Sequence, residues 1–192
     1  VEFPASREMG GAALNVMLYD FRVDLEKYLQ GLPGNNLPHT LPELIAFNDS
    51  NRDREMPWFE QEIFLRAEET RTVLEASYRK DLEKVQAFYR ENGIDKLMEE
   101  NRLDAIVAPT GGPAWTTELI YGYHGGGGSS SPAARAGYPN ITVPAGMIHG
   151  LPVGISFFGR AWSEPVLIEI AYAYEQSTGH RRQPLFLPTL EG

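Results

Sequence analysis

A serine triplet behind a glycine tract is the first place where residue type and spacing suggest chemistry: H-G-G-G-G-S-S-S-P-A-A-R-A-G over residues 124–137. A phosphate loop needs Lys followed by Ser or Thr after its glycines, and no such pair follows. A nucleophile elbow needs G-x-S-x-G, which is not matched around Ser129, Ser130 or Ser131. Two readings remain. One is a flexible Gly/Ser connection, and the other is a loop whose bare backbone comes close to a ligand, which glycine permits.

The other reactive side chains are scattered. His39, His124, His149 and His180 form no i, i+4 pair, and the chain has no cysteine, so the roughly four N/S/O ligands of a zinc site are not at hand. His124, beside the glycine tract, is the one histidine suited to acid–base work. The carboxylate pairs Glu68/Glu69 and Glu99/Glu100 sit on helical segments with polar neighbours and read as solvated charge. Arg135 stands in a stretch of small residues, where solvent or a structural ion pair accounts for it better than a substrate contact. None of Lys27, Lys80, Lys84 or Lys96 lies in a strand or a glycine-rich context.

Composition excludes several functions. Acidic residues outnumber basic ones 26 to 17, for a net charge of −9, and no cationic cluster exceeds His180-Arg181-Arg182. A nucleic-acid interface needs several clustered cations to neutralise phosphates. The absence of cysteine removes disulfide and thiolate chemistry. No apolar run approaches the ~20 residues that span a bilayer. The expected setting is the cytoplasm.

The elements that must position these residues follow α/β grammar. Apolar residues at i, i+3 and i+4 predict an amphipathic helix over 12–29, and Thr40-Leu-Pro-Glu43 reads as a capping box opening a helix over 41–47. Residues 48–57 read as a surface connection. Residues 58–67 predict one or two helical turns with their aromatics inward. The clearest helix is predicted over 70–91, with Asn92-Gly93 as its stop, followed by a short one over 94–100. Three β-branched or aromatic runs, 105–107, 141–143 and 153–158, read as buried strands. Ser163 is an expected N-cap for a last helix that Gly179 closes, and an extended tail follows. Three regions result: 1–102 mainly helical cover, 103–159 sheet strands and loop, 160–192 helix and tail.

The blocks L-D-A-I-V-A-P-T, G-G-S-S-S-P-A-A-R-A-G-Y-P-N-I-T-V-P-A-G and L-P-V-G-I-S-F-F-G-R-A-W-S-E-P occur in the order seen in the C-terminal part of the amidase signature family, which the chain resembles over nearly its whole length. That resemblance implies the C-terminal portion of an α/β/α layered fold with a mixed central sheet. It also implies hydrolysis of linear amides by a Ser nucleophile, a second Ser in a cis peptide bond and a Lys, which relays a proton through the bridging Ser. In the family these three residues precede anything that matches Val1. The expected catalytic residues of this chain are therefore none, and the expected state alone is inactive.

Letters in the G-G-S-S-S stretch imitate part of the family's nucleophile signature, but the following P-A-A-R-A-G-Y-P-N fits the later, pocket-lining loop. Ser130 is accordingly not taken as the nucleophile. The resemblance assigns Gly127, Gly128, Ser129 and Ser130 to substrate binding. In the related glutaminase-type subunit of tRNA-dependent amidotransferases, an acidic residue near this point meets the amino group of glutamine. Here Gly127 and Gly128 stand nearby, which favours a general amidase. Expected partners are a small-molecule amide, the missing N-terminal half of the fold and further copies of the chain, with no cofactor, metal, nucleic acid or membrane. The contrasting reading is a non-catalytic binding or scaffold domain derived from the same fold.

Overall fold

Apolar spacing decides the first helices in the way the sequence suggests. A computed structural model describes residues 1–4, 9–34, 36–116, 118–120, 122, 125 and 127–186. They divide into two compact units, Glu2–Phe88 and Tyr89–Gly192, the latter together with Val1.

In the first unit, α1 (Gly10–Gln30) turns Leu14, Leu18, Phe21 and Leu25 toward α2 (Leu41–Ser50) and α4 (Glu62–Glu69). Leu41 and Ala67 are wholly enclosed there, and the Phe21 and Phe64 rings meet at 5.6 Å between centroids. Burying a leucine of this kind contributes roughly 1.5–3 kcal/mol. The capping box is formed: Thr40 Oγ1 accepts from the Glu43 amide, and the Glu43 carboxylate accepts from the amides of His39 and Thr40. Those bonds, the one from His39 first, hold the Glu43 carboxyl below its ordinary value.

Residues 48–57 are not a bare connection. Helix α2 runs on to Ser50, and a single turn, α3 (Arg52–Glu55), follows. Helix α4 starts only at Glu62, so Trp58 and Phe59 stay outside it, each 70% exposed. The inward face begins where Phe64 and Ala67 take helical spacing. The long helix expected over 70–91 is broken at its start. Thr70–Thr72 form a 3₁₀ turn, Val73 is extended, and α5 spans Glu75–Tyr89. Thr70 explains part of this, because its hydroxyl donates to the Ala67 carbonyl at 2.6 Å and accepts from Arg22 Nε at 3.0 Å.

In the second unit, Asn92-Gly93 does not end the helix. The backbone widens instead into a π turn over Arg90–Ile94, which leads into α6 (Asp95–Asn101). Gly93 and Ile94 are buried, so the position where the sequence signals a stop is a packed one. Arg102, at φ 52°, ends α6 in the left-handed region.

Three strands follow: β1 (Ile106–Pro109), β2 (Asn140–Ile148) and β3 (Leu151–Phe158), in the order β1-β3-β2 and antiparallel at both pairings. His149 and Gly150, at φ 48° and 78°, make the tight turn between β2 and β3, the backbone that a two-residue hairpin of right-handed twist requires. Helix α8 (Glu164–Thr178) covers one sheet face, where Val143 and Phe157 meet Leu167 and Ala171. Ser163 occupies the N-cap position of α8, but its hydroxyl donates back to the Arg160 carbonyl at 2.8 Å and caps no helical amide. Helix on sheet is the expected α/β arrangement, and these three strands supply an antiparallel portion of it.

Candidate functional site

Alternation along the strands puts Thr142 and Ser156 on the sheet face turned away from α8. The register pairs Thr142 with Ser156, and Ala108 of β1 with Ser156 from the other side. Thr110, just past β1, keeps to the same line, its amide bonded to the Gly154 carbonyl at 2.9 Å. The three hydroxyls converge. Ser156 Oγ lies 2.8 Å from Thr110 Oγ1 and 2.9 Å from Thr142 Oγ1, and the two threonine oxygens are 3.4 Å apart. Ser156 is 2% exposed, and Thr110 and Thr142 are more open. Gly154 makes this convergence sterically feasible, because a Cβ there would lie 2.8 Å from both Thr110 Oγ1 and Thr142 Cγ2.

The glycine-rich segment comes down onto the same point. Ser129 donates its amide to the Thr110 carbonyl at 3.4 Å. A Cβ on Gly128 would sit 3.2 Å from that carbonyl oxygen, and one on Gly111 3.8 Å from the Gly127 carbonyl. Close backbone approach is therefore a property of this segment, although its target within the chain is the residue that follows β1. Ser129 Oγ is buried, with no hydrogen-bond partner among the described residues. Buried hydroxyls nearly always have one.

Ser130 leaves the loop and opens α7 (Ser130–Ala136). Of the four residues expected to bind substrate, Gly128 and Ser129 thus lie against the Thr110 carbonyl and Gly127 near Gly111, while Ser130 is the first residue of a helix. Gly126 and His124 lie outside the described residues.

Helix α7 is held from below by the π turn. Ala133 and Ala136 are wholly buried, and Gly137, at φ 68°, closes the helix. Arg90 Nε donates to the Ala136 carbonyl at 2.6 Å, and its guanidinium stands 5.8 Å from the Tyr138 ring. Tyr138 in turn donates its hydroxyl to Asp95 Oδ2 at 2.8 Å. Burial, and then this bond, push the Tyr138 phenol up to about 12. An α-helix would set residues 90 and 95 roughly 140° apart. The wider turn swings both toward α7 and Tyr138.

Arg135, expected in solvent or in an ion pair, instead donates to the Tyr89 hydroxyl and lies over its ring at 5.3 Å. The other candidates stay apart. Lys96 pairs with Glu100 at the surface, His39 bridges the carbonyls of Leu29 and Gly34, and His149 is in the hairpin turn. A separate apolar hollow of about 850 Å³ lies between the hairpin tip, at Met147 and Pro152, and residues 180–186. None of the hydroxyl cluster lines it.

Sequence reasoning missed Thr110, Thr142 and Ser156, as well as the Tyr89, Arg90 and Asp95 brace. The signal for the first set is alternation, I-T-V on one run and I-S-F on the next. It becomes readable once His149-Gly150 is taken as a hairpin turn, because the pairing then places Thr142 opposite Ser156.

Comparison with known proteins bears on the fold around this site. The family profile described as Amidase matches residues 1–168. The chain belongs to the amidase family. It is 40% identical over 173 residues to a probable amidase of Arabidopsis thaliana, covering 89% of this chain and 30% of that protein. The crystal structure of native peptide amidase from Stenotrophomonas maltophilia superposes with a TM-score of 0.84 at 42% identity, covering 97% of this chain and 37% of that one. A shorter match, 52% over 48 residues, covers 25% of this chain and 10% of a subunit of the glutamyl-tRNA(Gln) amidotransferase of Desulforudis audaxviator. This amidase-family chain thus spans about a third of the length of the plant and bacterial relatives that match nearly all of it. Among the described residues, no group of three or more His, Asp or Glu side chains comes together in a metal-binding arrangement. No helix described is long and apolar enough to cross a membrane.

Proposed function

We propose that this chain forms the sheet and pocket loop of an amide hydrolase whose Ser, cis-Ser and Lys set lies outside these 192 residues. The observation that carries this reading is the convergence of Gly127, Gly128 and Ser129 on the segment that follows β1, with Ser129 Oγ buried and without a hydrogen-bond partner among the described residues. A binding pocket needs a few fixed polar groups on a rigid floor. Here strands β1 and β3 supply the floor and the π-turn brace fixes α7 behind it.

The substrate on this reading is a small neutral amide. Relatives include a peptide amidase and a subunit of a glutamyl-tRNA(Gln) amidotransferase. The first is favoured, because Gly127 and Gly128 put no carboxylate where a free α-amino group would be met. Its deduced partners are the amide and the remainder of the fold, which brings the nucleophile to this pocket.

Ammonia release from propionamide, benzamide and N-acetylalaninamide tests the reading. It is measured on the chain alone and on the full reading frame that contains it. Turnover by the full frame only is the expected result. Turnover by the chain alone overturns it, and loss of that turnover in Ser130→Ala would make Ser130 the nucleophile. Saturable binding of these amides without turnover in either form would favour the scaffold reading.

A further inference from the structure

We infer that the hollow at the hairpin tip binds an apolar monocarboxylate, a free acid with a hydrocarbon body and a single anionic end. The site does not depend on the amide-hydrolase reading. It gives a role to His180-Arg181-Arg182, the largest cationic cluster in the chain.

The strands set one wall. Val143 faces α8, so Pro144 lies on the opposite face of the sheet. The register shifts between Pro144 and Gly146, an irregularity of the kind that bends a strand, and beyond it Met147 pairs with Pro152. Gly146 takes φ 142° at this bend, and no non-neighbouring atom lies within 4 Å of where a Cβ would stand on Gly146 or on Gly150. The tail after α8 forms the other wall. Its Leu185 and Phe186 are 79% and 87% exposed, and Met147 opposite them is 40% exposed. The space between, about 850 Å³, falls in the range of ~300–1,000 Å³ usual for small-molecule sites. A hydrocarbon body placed there withdraws these side chains from water.

Charge selects the other end of the ligand. The described residues that line the hollow include two guanidiniums, Arg181 and Arg182, and no aspartate or glutamate. Neither arginine has an ion-pair partner among the described residues, although the chain carries a net charge of −9. A guanidinium presents a planar fork of N–H donors that matches a carboxylate. Pro144, Pro152 and Pro184 line the hollow without an amide hydrogen, which leaves the guanidiniums as its strongest donors. An ammonium end would meet two like charges. A neutral chain would leave both guanidiniums unanswered, and a small inorganic anion would leave Met147, Leu185 and Phe186 uncovered. An apolar acid satisfies both walls.

The test titrates decanoate against the full reading frame, labelled with 13C at its methionine methyl groups, and follows the Met147 signal by NMR, with Met147→Leu to assign it. Saturable shifts are expected at Met147 and none at Met98, which is buried. Octanoate is expected to bind about tenfold more weakly than decanoate, because it buries two fewer CH2 groups. Replacing both arginines, Arg181→Gln with Arg182→Gln, is expected to lower decanoate affinity about tenfold, roughly threefold for each exposed charge pair. The same double variant should bind 1-decanol as the parent does. Both substitutions lie on exposed positions, and an unchanged Met98 signal checks that the fold is intact.

Equal affinity for decanoate and decylammonium, or undiminished decanoate affinity in the double variant, overturns the inference and leaves the hollow an apolar surface without an anion site. Absence of a saturable Met147 shift in the full reading frame also overturns it. If the shift then appears in the 192-residue chain alone, the hollow is a contact for the remainder of the fold.

Discussion

At the scale of single residues, Gly154 has the sharpest consequence, because it lets three hydroxyls share one point. Gly154→Ala would force a methyl group to 2.8 Å from Thr110 and Thr142, and overpacking of this kind costs roughly 1–3 kcal/mol. Gly11→Ala in α1 is the contrast, with no atom within 4 Å of the added carbon and a gain of up to about 1 kcal/mol from helix propensity. Urea midpoints of the two variants should therefore move in opposite directions. The composition of the glycine tract shows that Gly127 and Gly128 allow close approach. It does not show what they approach, because Thr110 reaches them through a backbone pairing across the chain, and such pairing leaves no local pattern. Arg135 is hard to read from sequence for a related reason: its partner, the Tyr89 phenol, carries no charge that a search for ion pairs would find.

At the scale of elements, the π turn and α7 act as one brace, and titration offers a way to load it. Folding raises the Tyr138 phenol from 10.0 to about 12, through burial first and the Asp95 bond second. The folded state holds this proton more tightly than the unfolded chain does. Its contribution to stability is thus fully present below pH 10 and is lost as pH rises through about 12. Denaturation followed across that window should show an alkaline loss that is smaller in Tyr138→Phe. Part of the loss should persist in the variant, because Tyr78 in the other unit is raised in the same way. Local signals read the ordinary elements well. The capping box at Thr40, the α1 stripe and the Gly179 stop of α8 are all legible because each depends on neighbours a few residues away. Asn92-Gly93 misleads for the same reason. The pair reads locally as a stop, while burial of Gly93 and Ile94 and the Arg90 and Asp95 contacts to α7 and Tyr138 carry the backbone on as a wider turn.

At the scale of the whole molecule, the family and its α/β character are legible from block order, and the full set of pairings is not. Among the described residues, β1 and β2 each pair on one side only, and Trp162, Phe186 and Ile120 are more than four-fifths exposed. Unpaired strand edges and exposed apolar side chains promote association. Purified alone, the chain is expected to elute from size-exclusion chromatography above its monomer mass of 21.4 kDa, and co-expression with the remainder of an amidase fold should reduce that association. A compact monomer would count against this.

The His149-Gly150 turn also orders events in time. Strands β2 and β3 are joined by a two-residue connection, so their ladder can close on the microsecond scale typical of hairpins. Strand β1 meets β3 only after residues 110–150 have been looped out, and such closure is entropically slower and comes later. Thr110 arrives with β1. The hydroxyl cluster, and any pocket built on it, is therefore among the last features of its unit to form and among the first to be lost when the sheet edge opens.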